Sequence, residues 1–240
     1  IEHRSRSPLI DLSIFRRRTL TGANVIGLLL GTILFGMFFL LTLYQQNVLG
    51  YSPLRTGVNS LAIALTVIAA STVSQALVTR VGVRPILMLG LALIGGGLLY
   101  YTQISVNGSY VTDLLPGFLL TGIGLGFSFA PVSIAALSGL TNREAGLASG
   151  LITTSQQIGG GIGLAILISV STTRTNNLLS SGVAAPTALT DGFRLAFCVA
   201  AGLAALAVVA TAVLLRPGKA AVSAEPAESR RAATDEQVAA

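Results

Sequence analysis

Leu20-Thr-Gly-Ala-Asn-Val-Ile-Gly-Leu-Leu-Leu-Gly-Thr-Ile-Leu-Phe-Gly-Met-Phe-Phe-Leu-Leu-Thr-Leu43 runs for twenty-four residues without a charged side chain. A helix rises about 1.5 Å per residue, so a run of about twenty residues crosses a hydrocarbon core of roughly 30 Å. Inside lipid no water can satisfy the backbone, so such a run must be helical. Five more runs of this kind follow: Gly57–Val78, Pro85–Ile104, Leu114–Leu137, Leu147–Val170 and Gly192–Leu215. The expected fold class is therefore an all-α membrane protein with six transmembrane helices. Its expected organisation is a cytoplasmic lead-in over 1–19, a six-helix domain over 20–216 and a tail over 217–240.

Composition agrees. Charged residues make up 10% of the chain and the mean hydropathy is +0.78, whereas a soluble domain carries about a quarter charged residues. The net charge of +6 could signal nucleic acid, but the cations lie between the spans and not along one face. They follow the positive-inside rule instead. Arg4, Arg6, Arg16, Arg17, Arg18, Arg80, Arg84, Arg143, Arg216, Lys219, Arg230 and Arg231 fall on one side. Arg55, Arg174 and Arg194 fall on the other. The richer side should be cytoplasmic, with both termini there. The tail is rich in Ala and mixed charge and has no aromatic residue, which predicts disorder. Abundant Ala and Gly, with Arg far above Lys, point to a GC-rich bacterial gene and hence to the bacterial plasma membrane.

Phe15-Arg16-Arg17-Arg18-Thr19-Leu20 superficially matches a twin-arginine export signal. A signal peptide has a shorter apolar core and a cleavage site, and is not followed by five more spans. The chain opens on Ile1, which predicts a piece of a longer protein. A single cysteine, Cys198, excludes a disulfide framework or a cysteine metal site within one chain and reads as a packing residue.

Ionisable groups at membrane depth are costly and usually functional. None lies near mid-span here: Asp113, Asp191 and Arg194 sit at span ends, and Arg143 and Glu144 in a hinge. The only histidine, His3, is in the lead-in. No catalytic constellation or metal cluster is visible, so neither an enzyme nor a cofactor is expected.

The spans carry glycine, amide and hydroxyl instead. In the fifth run Ser149, Thr153, Gln156, Gly160 and Gly163 share one helical face, and Gly146, Gly150, Thr154, Gln157 and Gly161 the next. Small residues allow close helix packing, while Gln either bridges helices or lines a cavity. The candidate cavity residues are Thr153, Gln156 and Gln157, joined by Thr32 and Phe35 of the first run. Gly160 and Gly163, with Gly122, Gly126 and Pro131 of the fourth run, are the candidate packing residues. The cluster Gly122-Ile-Gly124-Leu-Gly126 has no preceding strand, so it is no phosphate cradle. Pro131 should bend its helix by freeing the carbonyl of Phe127.

Three stretches form an ordered set: Pro8-Leu-Ile-Asp11-Leu-Ser-Ile-Phe15-Arg16, Gly50-Tyr51-Ser52-Pro53-Leu54-Arg55-Thr56-Gly57, and Asn142-Arg143-Glu144-Ala145-Gly146 leading into Gln156-Gln157-Ile-Gly159-Gly160. Over residues 8–216 the chain resembles the C-terminal half of a fourteen-helix drug:proton antiporter of the major facilitator superfamily. The superfamily's hinge motif Gly-x-Leu-Ala-Asp-Arg-x-Gly-Arg-Lys has a partial counterpart in Gln75-Ala-Leu77-Val-Thr79-Arg80-Val-Gly82-Val83-Arg84. Leu77, Arg80, Gly82 and the basic Arg84 are kept, but Gln75 and Thr79 replace Gly and Asp. Arg80, Gly82 and Arg84 are thus a candidate conformational hinge. The Arg that precedes a Gly-x-Gly in the superfamily's N-terminal half is Phe118 here.

The resemblance implies export of amphipathic or lipophilic compounds, antibiotics among them, by proton antiport and alternating access. The cavity would be walled by the first, second, fourth and fifth runs, and the titrating acid would lie in a missing N-terminal half. Expected partners are membrane lipid, a small-molecule substrate and protons through that half, with no nucleic acid. The alternatives are an oligomeric six-helix channel, although neither a re-entrant filter nor a charged ring is visible, and a homodimeric half-transporter.

Overall fold

The computed structural model describes residues 18–137 and 142–215. It contains six long helices: α1 (Arg18–Leu43), α2 (Pro53–Val81), α3 (Val83–Tyr101), α4 (Leu115–Leu137), α5 (Asn142–Ser180) and α6 (Ala185–Leu214). π-helical turns extend α1 through Tyr44–Val48 and precede α4 at Tyr110–Leu114. Each of the six is long and apolar enough to span a membrane.

Most helices outrun the apolar runs that predict them. Hydropathy marks the lipid-immersed core, but a helix ends only where its backbone is capped or broken. Helix α2 starts at Pro53 and not Gly57, because Ser52 is extended, its hydroxyl accepts from the Arg55 amide, and Pro suits the first helical turn. Helix α5 covers 39 residues against the 24 of its apolar run. Nothing breaks it before Gly182, whose φ of 82° is left-handed. Helix α6 begins at Ala185, seven residues ahead of its run. Helix α3 is the exception, ending at Tyr101 instead of Ile104. The lead-in arginines before Arg18, the side chain of Arg143 and the tail from Arg216 lie outside the described residues.

Helices α2, α4, α1 and α5 stand side by side, with α3 behind α4 and α6 behind α1 and α5. Leu214 packs on Gly22, so the start of α1 and the end of α6 share one end of the bundle, here termed the terminal end. The distal end is tied by polar bonds to the α3–α4 connection. Tyr44 Oη donates to the Ser105 carbonyl at 2.7 Å and Arg194 Nε to the Ile104 carbonyl at 2.7 Å. Asp113 Oδ2 accepts from the Ser105 amide at 3.1 Å and from its hydroxyl at 3.0 Å. These bonds satisfy loop backbone that has no helical partner.

Helix seams are built on glycine. Gly27 and Gly31 of α1 receive Ile152 and Gln156 of α5, and Gly159 and Gly163 of α5 receive Leu28 and Thr32. Gly90 and Gly97 of α3 meet Gly124 and Thr121 of α4, and Gly122 and Gly126 of α4 meet Thr66 and Ala70 of α2. Lipid tails are as apolar as leucine, so helices in a bilayer gain by close backbone approach and not by the hydrophobic effect.

Candidate functional site

The face formed by α2, α4, α1 and α5 carries two concavities. Nearer the terminal end, a cavity of about 130 Å³ opens between α4 and α5. It is lined by Phe129, Ser133, Ala136 and Leu137 on α4 and by Ser149, Ile152, Thr153 and Gln156 on α5. Nearer the distal end, a groove of about 420 Å³ lies between α1 and α5. Its walls are Leu34, Phe35, Phe38, Phe39, Thr42 and Leu164. Among the described residues that line them, none is charged.

Both belong to one surface because Thr153, Gln156, Gly160 and Leu164 succeed each other along one side of α5, at the 3.6-residue period. Gln156 is level with Gly31, three residues from the midpoint of the Leu20–Val48 span. At about 1.5 Å per residue this puts it roughly 5 Å from mid-membrane. The ring of Phe35 lies over Gly160 and is 43% exposed.

The sequence-derived candidates separate into groups. Thr153 and Gln156 share the polar cavity, and Phe35 lines the aromatic groove. Thr32 is not on the cavity wall. It is 4% exposed, and its hydroxyl lies 2.9 Å from the carbonyls of both Leu28 and Gly159, which locks it into the α1–α5 seam. Gln157 lies outside both concavities, exposed on the α5 face where Gly146, Gly150 and Gly161 meet nothing. Gly160 and Gly163 sit in the α1–α5 seam and Gly122 and Gly126 in the α2–α4 seam, while Pro131 is buried within α4.

The hinge residues also divide. Gly82 is buried between α2 and α3 with φ 94°, a conformation that a side chain rarely adopts. Arg80 is exposed. Arg84 donates from Nη2 to the Ala212 carbonyl at 2.7 Å. That carbonyl is in the last turn of α6, where it has no partner within the helix and where a cation is favoured. The basic residue that closes the hinge motif thus ties the start of α3 to the end of α6.

Sequence reasoning passed over Asn24. Ser155 Oγ donates to its Oδ1 at 2.8 Å, and its Nδ2 donates to the Leu20 carbonyl at 2.9 Å, bridging α1 and α5 below Gly31. The available signal was a lone amide in an otherwise apolar run.

Six helices long and apolar enough to cross a membrane make this a multi-pass membrane protein, with two concavities open on one face. Residues 2–164 match the profile of the Major Facilitator Superfamily, and the chain belongs to that family, which comprises transporters and not enzymes. It is 32% identical over 217 residues to the puromycin resistance protein pur8 of Streptomyces alboniger, covering 89% of this chain and 43% of that protein. It is 33% identical over 189 residues to a multidrug resistance protein B homolog of Mycobacterium tuberculosis, covering 78% of this chain and 35% of the relative. A lincomycin resistance protein of Streptomyces lincolnensis is 31% identical over 170 residues, covering 71% of this chain and 35% of its own length. The chain thus spans about two fifths of the length of the curated relatives it matches.

Proposed function

We propose that this chain is the C-terminal six-helix domain of a fourteen-helix exporter that moves small amphipathic compounds, antibiotics among them, out of a bacterial cell in exchange for protons. The observation that carries this reading is the adjoining polar cavity and aromatic groove, whose described lining residues carry no charge. Pockets that take mixed small molecules are mostly apolar with a few convergent polar groups. Relatives named for resistance to puromycin and lincomycin support the compound class. The share of their length that the chain spans is about what six of fourteen helices would occupy.

The proton-coupling acid lies outside these helices, and a second domain facing α2, α4, α1 and α5 completes the cavity. The intact transporter is expected to lower the accumulation of a lipophilic dye in cells energised by a proton gradient, with the difference abolished by an uncoupler. Dye export that persists in full after uncoupling refutes proton antiport.

The terminal end is cytoplasmic on the distribution of Lys and Arg. Asn47, Thr79 and Ser180 are all exposed and suit a labelling test. In a background with Cys198 replaced, cysteines at Asn47 and Ser180 are expected to react with an impermeant maleimide on intact cells. A cysteine at Thr79 should react only after permeabilisation. The reverse pattern overturns the orientation.

A further inference from the structure

Residues 102–109 join α3 to the helical turn before α4 and cross the distal end as a strap. Ser105 anchors its first half. Its amide and hydroxyl donate to Asp113 Oδ2 at 3.1 and 3.0 Å. Its carbonyl accepts from Tyr44 Oη, just past α1, at 2.7 Å and from the Gly108 amide at 3.1 Å. Ser109 anchors the other half, where its hydroxyl accepts from the Thr112 amide at 3.3 Å. The bond from Gly108 to Ser105 closes a turn with Val106 and Asn107 at its centre.

Asn107 is exposed and is followed by glycine. That pair is chemically labile. The Gly108 amide nitrogen can reach the side-chain carbonyl carbon of Asn107 within one chain, so the attack is intramolecular and closes a succinimide ring. Glycine has no Cβ to obstruct the approach. A bond forms between this nitrogen and Asn107 Cγ, and the side-chain NH₂ leaves as ammonia with the hydrogen of the Gly108 amide. Water then opens the ring. Cleavage at Cγ gives aspartate. Cleavage at the main-chain carbonyl gives isoaspartate, in which the backbone runs through Cβ and Cγ and is one carbon longer.

The packing of the strap both preserves this pair and restrains it. A Cβ on Gly108 would overlap the Asp113 carboxylate and stand 2.6 Å from the Tyr44 hydroxyl, so a side chain that would block the reaction does not fit there. The restraint is the Ser105 carbonyl. While it holds the Gly108 N–H, that nitrogen is not free to turn onto Asn107. Tyr44 in turn holds the carbonyl.

We propose that Asn107 is a site of spontaneous modification, converted through a succinimide to aspartate and isoaspartate at a rate set by the Tyr44–Ser105 bond. The product places a new carboxylate on the strap. Its isoaspartate form also lengthens the backbone between Ser105 and Ser109, the two anchored residues. The tie between α1 and the α3–α4 connection therefore loosens as the protein ages.

The intact protein, held in detergent in warm and mildly alkaline buffer, provides the test. After digestion, the peptide spanning Asn107 is expected to gain the mass of an NH₂-to-OH exchange and to fragment as isoaspartate. The peptide spanning Asn176 and Asn177, which are exposed but helical, should stay unchanged. Asn107→Gln should abolish the change. Tyr44→Phe should quicken it about fivefold, the effect of losing one net hydrogen bond. Asp113→Asn, which weakens the hold on Ser105 and leaves Tyr44 in place, should quicken it as well, both rates being read on monodisperse protein. An Asn107 that stays intact while a free peptide of residues 102–113 converts overturns the site. Equal rates in the unaltered protein, Tyr44→Phe and Asp113→Asn overturn its control by the strap.

Discussion

Replacing Gly159 with alanine is expected to remove most of the folded transporter from the membrane. The same change at Gly160 should lower it partly, and at Gly161 leave it unchanged. Three adjacent, chemically identical residues thus give three different outcomes, because each faces a different neighbour. A Cβ on Gly159 would overlap the backbone carbonyl of Leu28. That backbone cannot move without parting α1 from α5, the seam where Thr32 also bonds the Gly159 carbonyl. The atoms nearest to a Cβ on Gly160 belong to the Phe35 ring, with Cδ2 at 2.6 Å. This ring is 43% exposed and can swing outward. Around Gly161 there is nothing within 4 Å.

Overpacking a seam costs about 1–3 kcal/mol, and more where backbone has to shift. Gly159→Ala should lie at or above the top of that range, and Gly160→Ala near the bottom. At Gly161 alanine's better helix propensity, worth about 0.5–1 kcal/mol, has nothing to oppose it. Yield of monodisperse protein and thermal midpoint in detergent measure all three. Equal losses at the three positions would show that the glycines act by something other than contact with α1.

These three glycines also mark how far the sequence can be read. Six spans are legible because lipid leaves a long apolar run no alternative to helix. That glycine lets α5 approach a neighbour is legible too. Which glycine makes the approach depends on the angle at which α5 crosses α1, and no local pattern encodes that angle. Thr32 shows the same limit from the polar side. A hydroxyl in an apolar run is compatible with a cavity wall or a seam, and only the position of the Gly159 carbonyl decides between them.

Helices outrun their apolar runs for a different reason. Thr172-Thr-Arg174-Thr-Asn176-Asn177 is too polar for a hydropathy window, yet its backbone has no cause to leave the helix. The polar cavity was half visible: Ser149, Thr153 and Gln156 share a helical face, but Phe129 and Ser133 come from α4, more than fifteen residues earlier in the chain. Arg84 was legible as a motif residue, and its role at the end of α6 was not. The contact joins residues 128 positions apart.

Reconstituted alone in liposomes with an imposed pH gradient, residues 1–240 are expected to give no substrate-dependent proton flux. Coupling needs a group that changes charge within reach of the cavity. Among the described residues every carboxylate stands at a helix end: Asp113 before α4, Glu144 in the first turn of α5 and Asp191 near the start of α6. The polar groups at depth among the described residues include Thr32, Thr66, Thr121, Ser128, Gln156 and Gln157, neutral hydroxyls and amides that hold their protons across the physiological range. Alternating access has a second requirement, a partner domain against which this one can rock. The α2 and α5 faces that would meet it are open here. The α5 surface at Gly146 and Gly150 has no neighbour within 4 Å, and small residues at a membrane helix surface are suited to close contact. On the proposed reading, co-expression with an eight-helix N-terminal part should restore coupled flux. Adding this domain to itself should not, because two copies still lack a titrating group at depth. Coupled flux from the 240-residue chain as a homodimer would therefore overturn both the half-transporter reading and the placement of the proton site outside these helices.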